Sequence, residues 1–311
     1  MVHLVGPEDT PNPSSEREHL ISAAVRQLVD APLKKRYDFI HKRHWYNFDY
    51  AAALIERIDT VRRYAAMSQS SIGLRVVAPS GMAKTAILEH YCDSRRPYQD
   101  RSAKVTITPV LMIELMPTRM GGGDLVGAAY EKLEAGYKRG TITQEMGRLA
   151  KILRDMGLQL LLIDEGDTLK DMREGAMVDV LSQAKWLTNR LKIPAIFSLT
   201  PPAAGFFTRD TQIDRRFMPY HIPPWSLSDA FAKAVSTVMA YMPFPDPPED
   251  SIFEDAGLRF LLAASRQETS SMIRLIKFGA TIALEAGEPR LTLEALKAAS
   301  EVWGYGDPGP L

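Results

Sequence analysis

Short apolar runs alternate with longer amphipathic segments between about residue 71 and residue 200. Four runs have the length and continuous hydrophobicity of buried strands, at 73–78, 110–115, 158–163 and 193–200. Apolar residues recur at helical spacing in the intervening segments 84–91, 124–137, 144–156 and 176–191. Strands that alternate with helices in this way form parallel sheets, so the pattern predicts an α/β core with helices on both faces.

Helical periodicity continues on both sides of this core. Ahead of it, Ala51, Leu54 and Ile58 share one face of a predicted helix, and after Trp225 the strand pattern stops while helical spacing continues. Both chain ends are polar or rich in Pro and Gly, which predicts disordered tails. The expected organisation is a tail, a helical region, an α/β core, a small all-helical lid and a second tail, at 1–17, 18–70, 71–225, 226–303 and 304–311.

Composition narrows the function classes. The 311 residues carry 38 Lys and Arg against 38 Asp and Glu, which argues against a generally polybasic nucleic-acid binder but leaves room for a local basic surface. The single cysteine, Cys92, allows no internal disulfide, and no apolar run approaches the roughly 20 residues of a membrane helix. We therefore expect a cytoplasmic protein without a membrane segment.

The first strand run leads into a segment typical of a phosphate-binding loop. Residues 78–85 read Ala-Pro-Ser-Gly-Met-Ala-Lys-Thr, close to the pattern G-x-x-x-x-G-K-[ST] between a strand and a helix. In such a loop backbone N–H groups surround the phosphates, the lysine contacts the β- and γ-phosphates and the hydroxyl holds Mg²⁺, which predicts these roles for Lys84 and Thr85. Alanine occupies both glycine positions, Ala78 and Ala83, and a positive φ there would cost about 1 to 2 kcal/mol. An ordinary strand-to-helix turn is the alternative interpretation.

Two adjacent carboxylates end the third strand run. The segment Leu-Gln-Leu-Leu-Leu-Ile at 158–163 is followed by Asp164 and Glu165. Phosphoryl transfer needs one carboxylate for Mg²⁺ and another to polarise the attacking water, so we assign these functions to Asp164 and Glu165. Helix capping is the alternative for the pair alone. Together with the loop at 78–85, the pair predicts a P-loop NTPase that binds ATP and Mg²⁺.

The fourth run and the segment after it narrow the class. Thr200 ends the run, where AAA+ ATPases place a first sensor residue beside the γ-phosphate. The next segment contains Arg215 and Arg216, and either guanidinium is a candidate arginine finger toward the nucleotide of a neighbouring subunit. Paired arginines on a solvated surface are the alternative interpretation.

In this order the motifs resemble the TniB/TnsC family of AAA+ transposition ATPases. The resemblance covers about residues 47–302, and its most specific parts are the Gly-Met of the loop and the segment Asp210-x-Gln-x-x-x-Arg216-Phe217. It implies a AAA+ core with a helical lid, Thr200 as sensor one and Arg216 as the finger acting in trans. The implied nucleotide contacts are Ala78, Pro79, Ser80, Gly81, Met82, Ala83, Lys84, Thr85, Ala86, Asp164 and Arg274.

The resemblance also implies DNA and protein partners. Members of the family assemble with ATP on double-stranded DNA as rings or helical filaments and recruit or activate a DDE transposase of the TniA/TnsB type. A TniQ-type adaptor is a further expected partner. The loops implied to touch DNA phosphates supply Arg119, Lys138, Arg139 and Thr141, which would give salt-dependent binding with little sequence preference. Solvated basic loops without DNA contact are the alternative.

Some positions depart from the family pattern. Gly166 follows the acidic pair where a larger residue is common, and Arg274 lies about one turn beyond the expected position of a second sensor. With the two alanines, these departures indicate slow ATP hydrolysis more than weak binding. A nucleotide-dependent scaffold or loader without its own DNA contact is the alternative function, and a small-molecule kinase is a less favoured third.

Overall fold

The computed structural model describes residues 25–68, 72–100, 105–115, 125–136 and 140–302. Its internal contacts divide the chain into two units. One unit spans Tyr50–Pro224, and the other combines the residues up to Asp49 with those from Trp225 onward. Among the described residues, no helix combines the length and the apolar character needed to cross a membrane.

A five-stranded parallel sheet forms the centre of the Tyr50–Pro224 unit. The described part of the chain contains seven strands, of which five form this sheet: β1 (Gly73–Val77), β2 (Tyr98–Asp100), β3 (Val105–Ile107), β4 (Val110–Glu114), β5 (Leu160–Asp164), β6 (Ala195–Leu199) and β7 (Phe217–His221). The sheet has the order β4-β5-β6-β1-β7, while β2 and β3 form a separate antiparallel pair. Every residue of β1, β5 and β6 is buried, which explains why their sequences are mostly apolar; Arg75, Asp164 and Ser198 are the polar exceptions.

Helices cover the sheet and supply most of the core of this unit. They are α2 (Asp49–Ser68), α3 (Lys84–Asp93), α4 (Leu125–Lys132), α5 (Ile142–Asp155), α6 (Glu174–Leu191), α7 (Pro201–Ala204) and α8 (Thr211–Arg216), with 3₁₀ turns at Gly166–Asp171 and Phe207–Arg209. Leu149, Leu153 and Val180 are fully buried in one apolar cluster that also contains Phe197 and Phe217. This cluster fixes the ends of β5 and β6.

The second unit is helical. It contains α1 (Leu33–His41), α9 (Asp229–Met239), α10 (Asp255–Ala264), α11 (Thr269–Glu285) and α12 (Leu293–Val302), with a 3₁₀ turn at Asp250–Ile252. Arg36 on α1 donates from Nε and Nη2 to the carbonyl oxygen of Pro243, at 3.1 and 2.5 Å. Ser228 caps α9 by accepting the Phe231 N–H at 3.3 Å.

The N-terminal helical region does not behave as one segment. Helix α1 is grouped with the C-terminal helices, whereas all of α2 except Asp49 belongs to the unit that contains the sheet. Leu54, Ile58 and Val61 give α2 a fully or nearly fully buried face. The expected segment 18–70 is therefore divided at about residue 49, because two different apolar surfaces compete for its helices.

Candidate functional site

The predicted nucleotide-site residues lie where three neighbouring strands end. Strands β5, β6 and β1 are parallel neighbours, so their carboxyl ends lie at one edge of the sheet. The loop after β1 begins at Ala78, whose N–H donates to the Leu199 carbonyl oxygen at 3.0 Å. Asp164 ends β5, and Thr200 directly follows β6. A crevice at the carboxyl edge of an open α/β sheet is where such folds bind ligands.

The loop between β1 and α3 contains two left-handed residues. Gly81 has φ of 79°, and Ala83 has φ of 57° with ψ of 24° immediately before α3. Alanine in this conformation stores about 1 to 2 kcal/mol of strain. The buried Met82 holds the loop from inside, and its carbonyl oxygen accepts the Tyr50 hydroxyl at 3.3 Å. The loop thus has a left-handed conformation at Ala83, the position of the second glycine in the sequence pattern.

Lys84 is drawn back into this loop. Its Nζ donates to the carbonyl oxygens of Ala78 at 2.9 Å and Pro79 at 3.0 Å. Burial lowers the pKa of Lys84, and the nearby charges of Asp167, Asp164 and Glu165 oppose that shift. The ammonium group is therefore partly desolvated and lies in the field of the acidic strand end.

Asp164 has the features of a ligand for a hard cation. Its side chain is only 2% exposed, and its Oδ2 finds no hydrogen-bond partner among the residues that the structure describes. A buried carboxylate oxygen without a partner is costly unless something else satisfies it. Thr85, half-buried in the first turn of α3, offers a hydroxyl. Carboxylate and hydroxyl oxygens are ligands that Mg²⁺ accepts, so the residues present fit this ion.

Glu165 is exposed and adopts a left-handed conformation with φ of 53°. Partial burial raises the pKa of Glu165, as do the like charges of Asp164 and Asp167. The next residue explains one departure from the family pattern. A Cβ on Gly166 would lie 2.4 Å from Leu199 Cδ2 and 2.6 Å from the Ser198 carbonyl oxygen, so no larger residue fits against β6.

Asp167 is the residue that sequence reasoning missed. Its Oδ1 accepts both the backbone N–H and the hydroxyl of Thr200, each at 2.5 Å. The acidic pair is thus the start of a longer motif, Asp164-Glu165-Gly166-Asp167, whose last carboxylate joins β5 to the end of β6. The spacing was visible in the sequence, but nothing in a single chain indicated its partner.

The predicted finger residue is held by the neighbouring helix. Asp210 Oδ1 caps α8 by accepting the N–H groups of Gln212 at 2.7 Å and Ile213 at 3.4 Å. At the other end of α8, Arg216 Nη1 donates to Asn189 Oδ1 at 2.5 Å. Burial lowers the pKa of Arg216, whereas the adjacent Arg215 is exposed.

The remaining predicted residues belong to helices of the two units or fall outside the described residues. Thr141 caps α5: its hydroxyl accepts the Gln144 N–H at 3.4 Å, and its own N–H donates to Gln144 Oε1 at 3.2 Å. Arg274 is exposed on α11 in the helical unit. Three predicted DNA-contact residues fall outside the described residues: Arg119, Lys138 and Arg139.

The family model described as "TniB: Bacterial TniB protein" matches residues 36–227. No curated protein matches the chain. The family match agrees with the resemblance in the sequence motifs.

Solved structures with similar folds include two ORC proteins and Cdc6p. The Aeropyrum pernix ORC1 protein in complex with DNA has a TM-score of 0.57 at 15% identity, covering 89% of this chain and 69% of that one. The Aeropyrum pernix ORC2 protein in ADPNP and ADP complexes gives 0.54 at 12%, covering 85% and 70%. Cdc6p from Pyrobaculum aerophilum gives 0.56 at 12%, also covering 85% and 70%. These likenesses confirm the predicted fold, a P-loop AAA+ core with a parallel sheet and a helical C-terminal region.

Proposed function

Because the chain belongs to the TniB family, we propose that it is an ATP-dependent regulator of DNA transposition that assembles on target DNA. The observation that carries this proposal is the site at the ends of β1, β5 and β6. There an amine on Lys84, the unpartnered buried carboxylate oxygen of Asp164 and the Glu165 carboxylate meet at one edge of the sheet. This combination suits a nucleotide triphosphate with its metal ion.

Each residue has a role in this proposal. Lys84 leaves the loop carbonyls to contact the β- and γ-phosphates, while the loop N–H groups and the start of α3 surround them. Thr85 and Asp164 hold Mg²⁺, which neutralises charge on the phosphates when it is bound. Glu165 accepts a proton from the attacking water. Glu165 directly follows the proposed metal ligand Asp164, and the backbone of Glu165 is left-handed and strained. The direction of its carboxylate is therefore set independently of the Asp164 carboxylate.

Assembly would complete the site across subunits. Arg216 is proposed to reach the γ-phosphate of a neighbouring copy, and the ring or helical filament thus depends on bound ATP. The hydrogen bond to Asn189 keeps the guanidinium at the end of α8 until that neighbour is present. Burial lowers the pKa of Arg216, but a guanidinium stays charged at neutral pH, so Arg216 can pair with a phosphate of the neighbouring nucleotide.

DNA is the proposed platform for the assembly. The ORC1 structure shows that a protein of similar fold forms a DNA complex. Arg119, Lys138, Arg139 and Thr141 are the proposed phosphate contacts, and Thr141 can cap α5 as an acceptor while still donating its own proton. The expected partners are a TniA/TnsB-like DDE transposase and a TniQ-type adaptor, in the cytoplasm.

Nucleotide-dependent DNA binding tests this proposal. Fluorescence anisotropy of a labelled random-sequence duplex is measured without nucleotide and with ADP, ATP or a non-hydrolysable ATP analogue. Binding is expected only with ATP or the analogue. Lys84→Ala should abolish both nucleotide and DNA binding, whereas Arg216→Ala should keep nucleotide binding and lose assembly.

Two controls make the result specific. Arg259→Ala removes an exposed arginine of the helical unit and should change nothing. Arg215→Ala tests whether the neighbouring exposed guanidinium acts instead of Arg216. Equal DNA binding in all nucleotide states would contradict the proposal, and nucleotide binding without any DNA binding would favour the scaffold function.

A further inference from the structure

The hydroxyl of Thr200 has only one proton to donate, and the structure shows which group accepts it. The hydroxyl donates to Asp167 Oδ1 at 2.5 Å, and the same oxygen accepts the Thr200 N–H at 2.5 Å. Two donors on one carboxylate oxygen fix both the backbone and the side chain of Thr200. Charge-assisted hydrogen bonds of this kind are roughly twice as strong as neutral ones.

This arrangement limits what Thr200 can do for a nucleotide. A hydroxyl carries one donor and two acceptor lone pairs, and its donor is already used by Asp167. The oxygens of a γ-phosphate are acceptors only, so they cannot accept a hydrogen bond from Thr200 while this contact persists. A water molecule can donate to the free lone pairs of Thr200.

We infer that Asp167 is a positioning residue that turns Thr200 into a hydrogen-bond acceptor for the attacking water. This inference rests on the proposed ATPase function. Glu165 supplies the second acceptor, since it directly follows β5, the strand that pairs with β6. When Thr200 and Glu165 each accept a hydrogen bond from one proton of the water molecule, the water oxygen presents a lone pair to the γ-phosphorus. The new P–O bond forms as the bond to the β-phosphate oxygen breaks, and the released proton goes to Glu165.

The surrounding packing supports a fixed geometry. The tight contact of Gly166 with Ser198 and Leu199 brings the start of the 3₁₀ turn against β6. Thr168, one residue after Asp167, is buried and donates its hydroxyl to the Leu115 carbonyl oxygen at 3.1 Å. The turn that carries Asp167 is therefore anchored on both sides, so the carboxylate has little freedom to leave Thr200.

The variants Asp167→Ala, Asp167→Asn, Thr200→Val and Thr200→Ser separate this role from a structural one. Asp167→Asn keeps an acceptor oxygen and Thr200→Ser keeps the hydroxyl, so both should retain turnover within about threefold. Asp167→Ala and Thr200→Val should each lower kcat by about 10- to 100-fold, the scale of losing one positioned group. The double variant Asp167→Ala/Thr200→Val should be no slower than either single variant.

Three further measurements keep the test independent of turnover. Affinity for a non-hydrolysable ATP analogue should stay unchanged in all variants, whereas affinity for ADP with aluminium fluoride, which mimics the transferring phosphate, should fall with kcat. Urea denaturation without nucleotide should show non-additive effects of Asp167→Ala and Thr200→Val. Thr188→Val is the control: it removes a buried hydroxyl of α6 that donates to the Ala184 carbonyl oxygen at 2.8 Å, and it should leave kcat unchanged.

Several outcomes would overturn the inference. These are wild-type kcat in Thr200→Val, additive losses in the double variant, or a wild-type protein that binds ATP but never hydrolyses it. A parallel loss of analogue affinity would mean that Asp167 only maintains the fold of the site. ATP-dependent binding to the duplex, measured on the same samples, reports separately on the proposed function.

Discussion

At the scale of single residues, Gly166 is the position where the fold leaves least room. An added Cβ would come within 2.6 Å of the Ser198 carbonyl oxygen, a backbone atom that cannot move without disturbing β6. We expect Gly166→Ala to cost about 1 to 3 kcal/mol, the usual penalty for overpacking a buried site. Urea denaturation measures this cost directly.

Gly175, at the start of α6, provides the matched control. A Cβ there meets nothing within 4 Å, so Gly175→Ala should keep or raise stability by up to about 1 kcal/mol. Equal effects of the two substitutions would contradict the close approach of the 3₁₀ turn to β6 at Gly166.

The raised pKa of Glu165 gives hydrolysis a predictable dependence on pH. Glu165 must be ionised to accept a proton. In the nucleotide-free protein, burial and the charges of Asp164 and Asp167 raise the pKa of Glu165, so the acid limb of kcat/KM should lie above the usual range for a glutamate. Asp167→Asn removes one like charge and should shift this limb to lower pH. The pH profile of kcat/KM for both proteins tests the sign, and a shift to higher pH would contradict it.

The sequence indicated some of these residues better than others. Lys84, Asp164 and Thr200 could be predicted as candidates because each belongs to a spaced motif at a strand end. The left-handed conformation of Glu165 and the pairing of Asp167 with Thr200 depend on backbone angles and on contacts between distant segments, which no local pattern encodes.

At the scale of elements, an ion pair with one buried partner joins the strand before the phosphate loop to the helix that carries Arg216. Arg75 Nη2 in β1 lies 2.6 Å from Asp214 Oδ1 in α8, with the two side chains 7% and 42% exposed. The guanidinium of Arg75 also lies over the ring of Phe207, 5.8 Å from its centre. The pair therefore helps to set the position of α8 relative to the sheet.

Breaking this pair should destabilise the AAA+ core. Asp214→Asn leaves the buried Arg75 without its counter-charge, and the partly exposed aspartate places the expected cost at about 1 to 3 kcal/mol, below that of a fully buried pair. Arg75→Met/Asp214→Asn should recover part of this loss in urea denaturation. A double variant as unstable as the sum of the two single changes would argue against a direct pair.

The elements also differ in how far the sequence predicts them. The four predicted strands are present as β1, β4, β5 and β6, because burial on both faces favours the mostly apolar runs that indicated them. Strand β7 was missed: it lies at the sheet edge, its residues alternate in exposure, and it contains Pro219, which such an edge tolerates.

At the scale of the whole molecule, the sequence predicted the fold and the family better than it predicted the division of the chain into two units. The order of the motifs indicated the AAA+ fold and the TniB family, both of which the comparisons confirm. The separation of α1 from α2 depends on which apolar surface each helix covers. That choice is made by tertiary contacts, so helical periodicity alone could not predict it.

The central claim is that bound ATP controls assembly of this protein on DNA. Sedimentation velocity of wild-type protein with a short duplex tests it most directly, with the non-hydrolysable ATP analogue in one sample and ADP in the other. We predict multi-subunit complexes on DNA with the analogue and separate protein and DNA with ADP. The same sedimentation profile in both samples, whether assembled or separate, would contradict the claim.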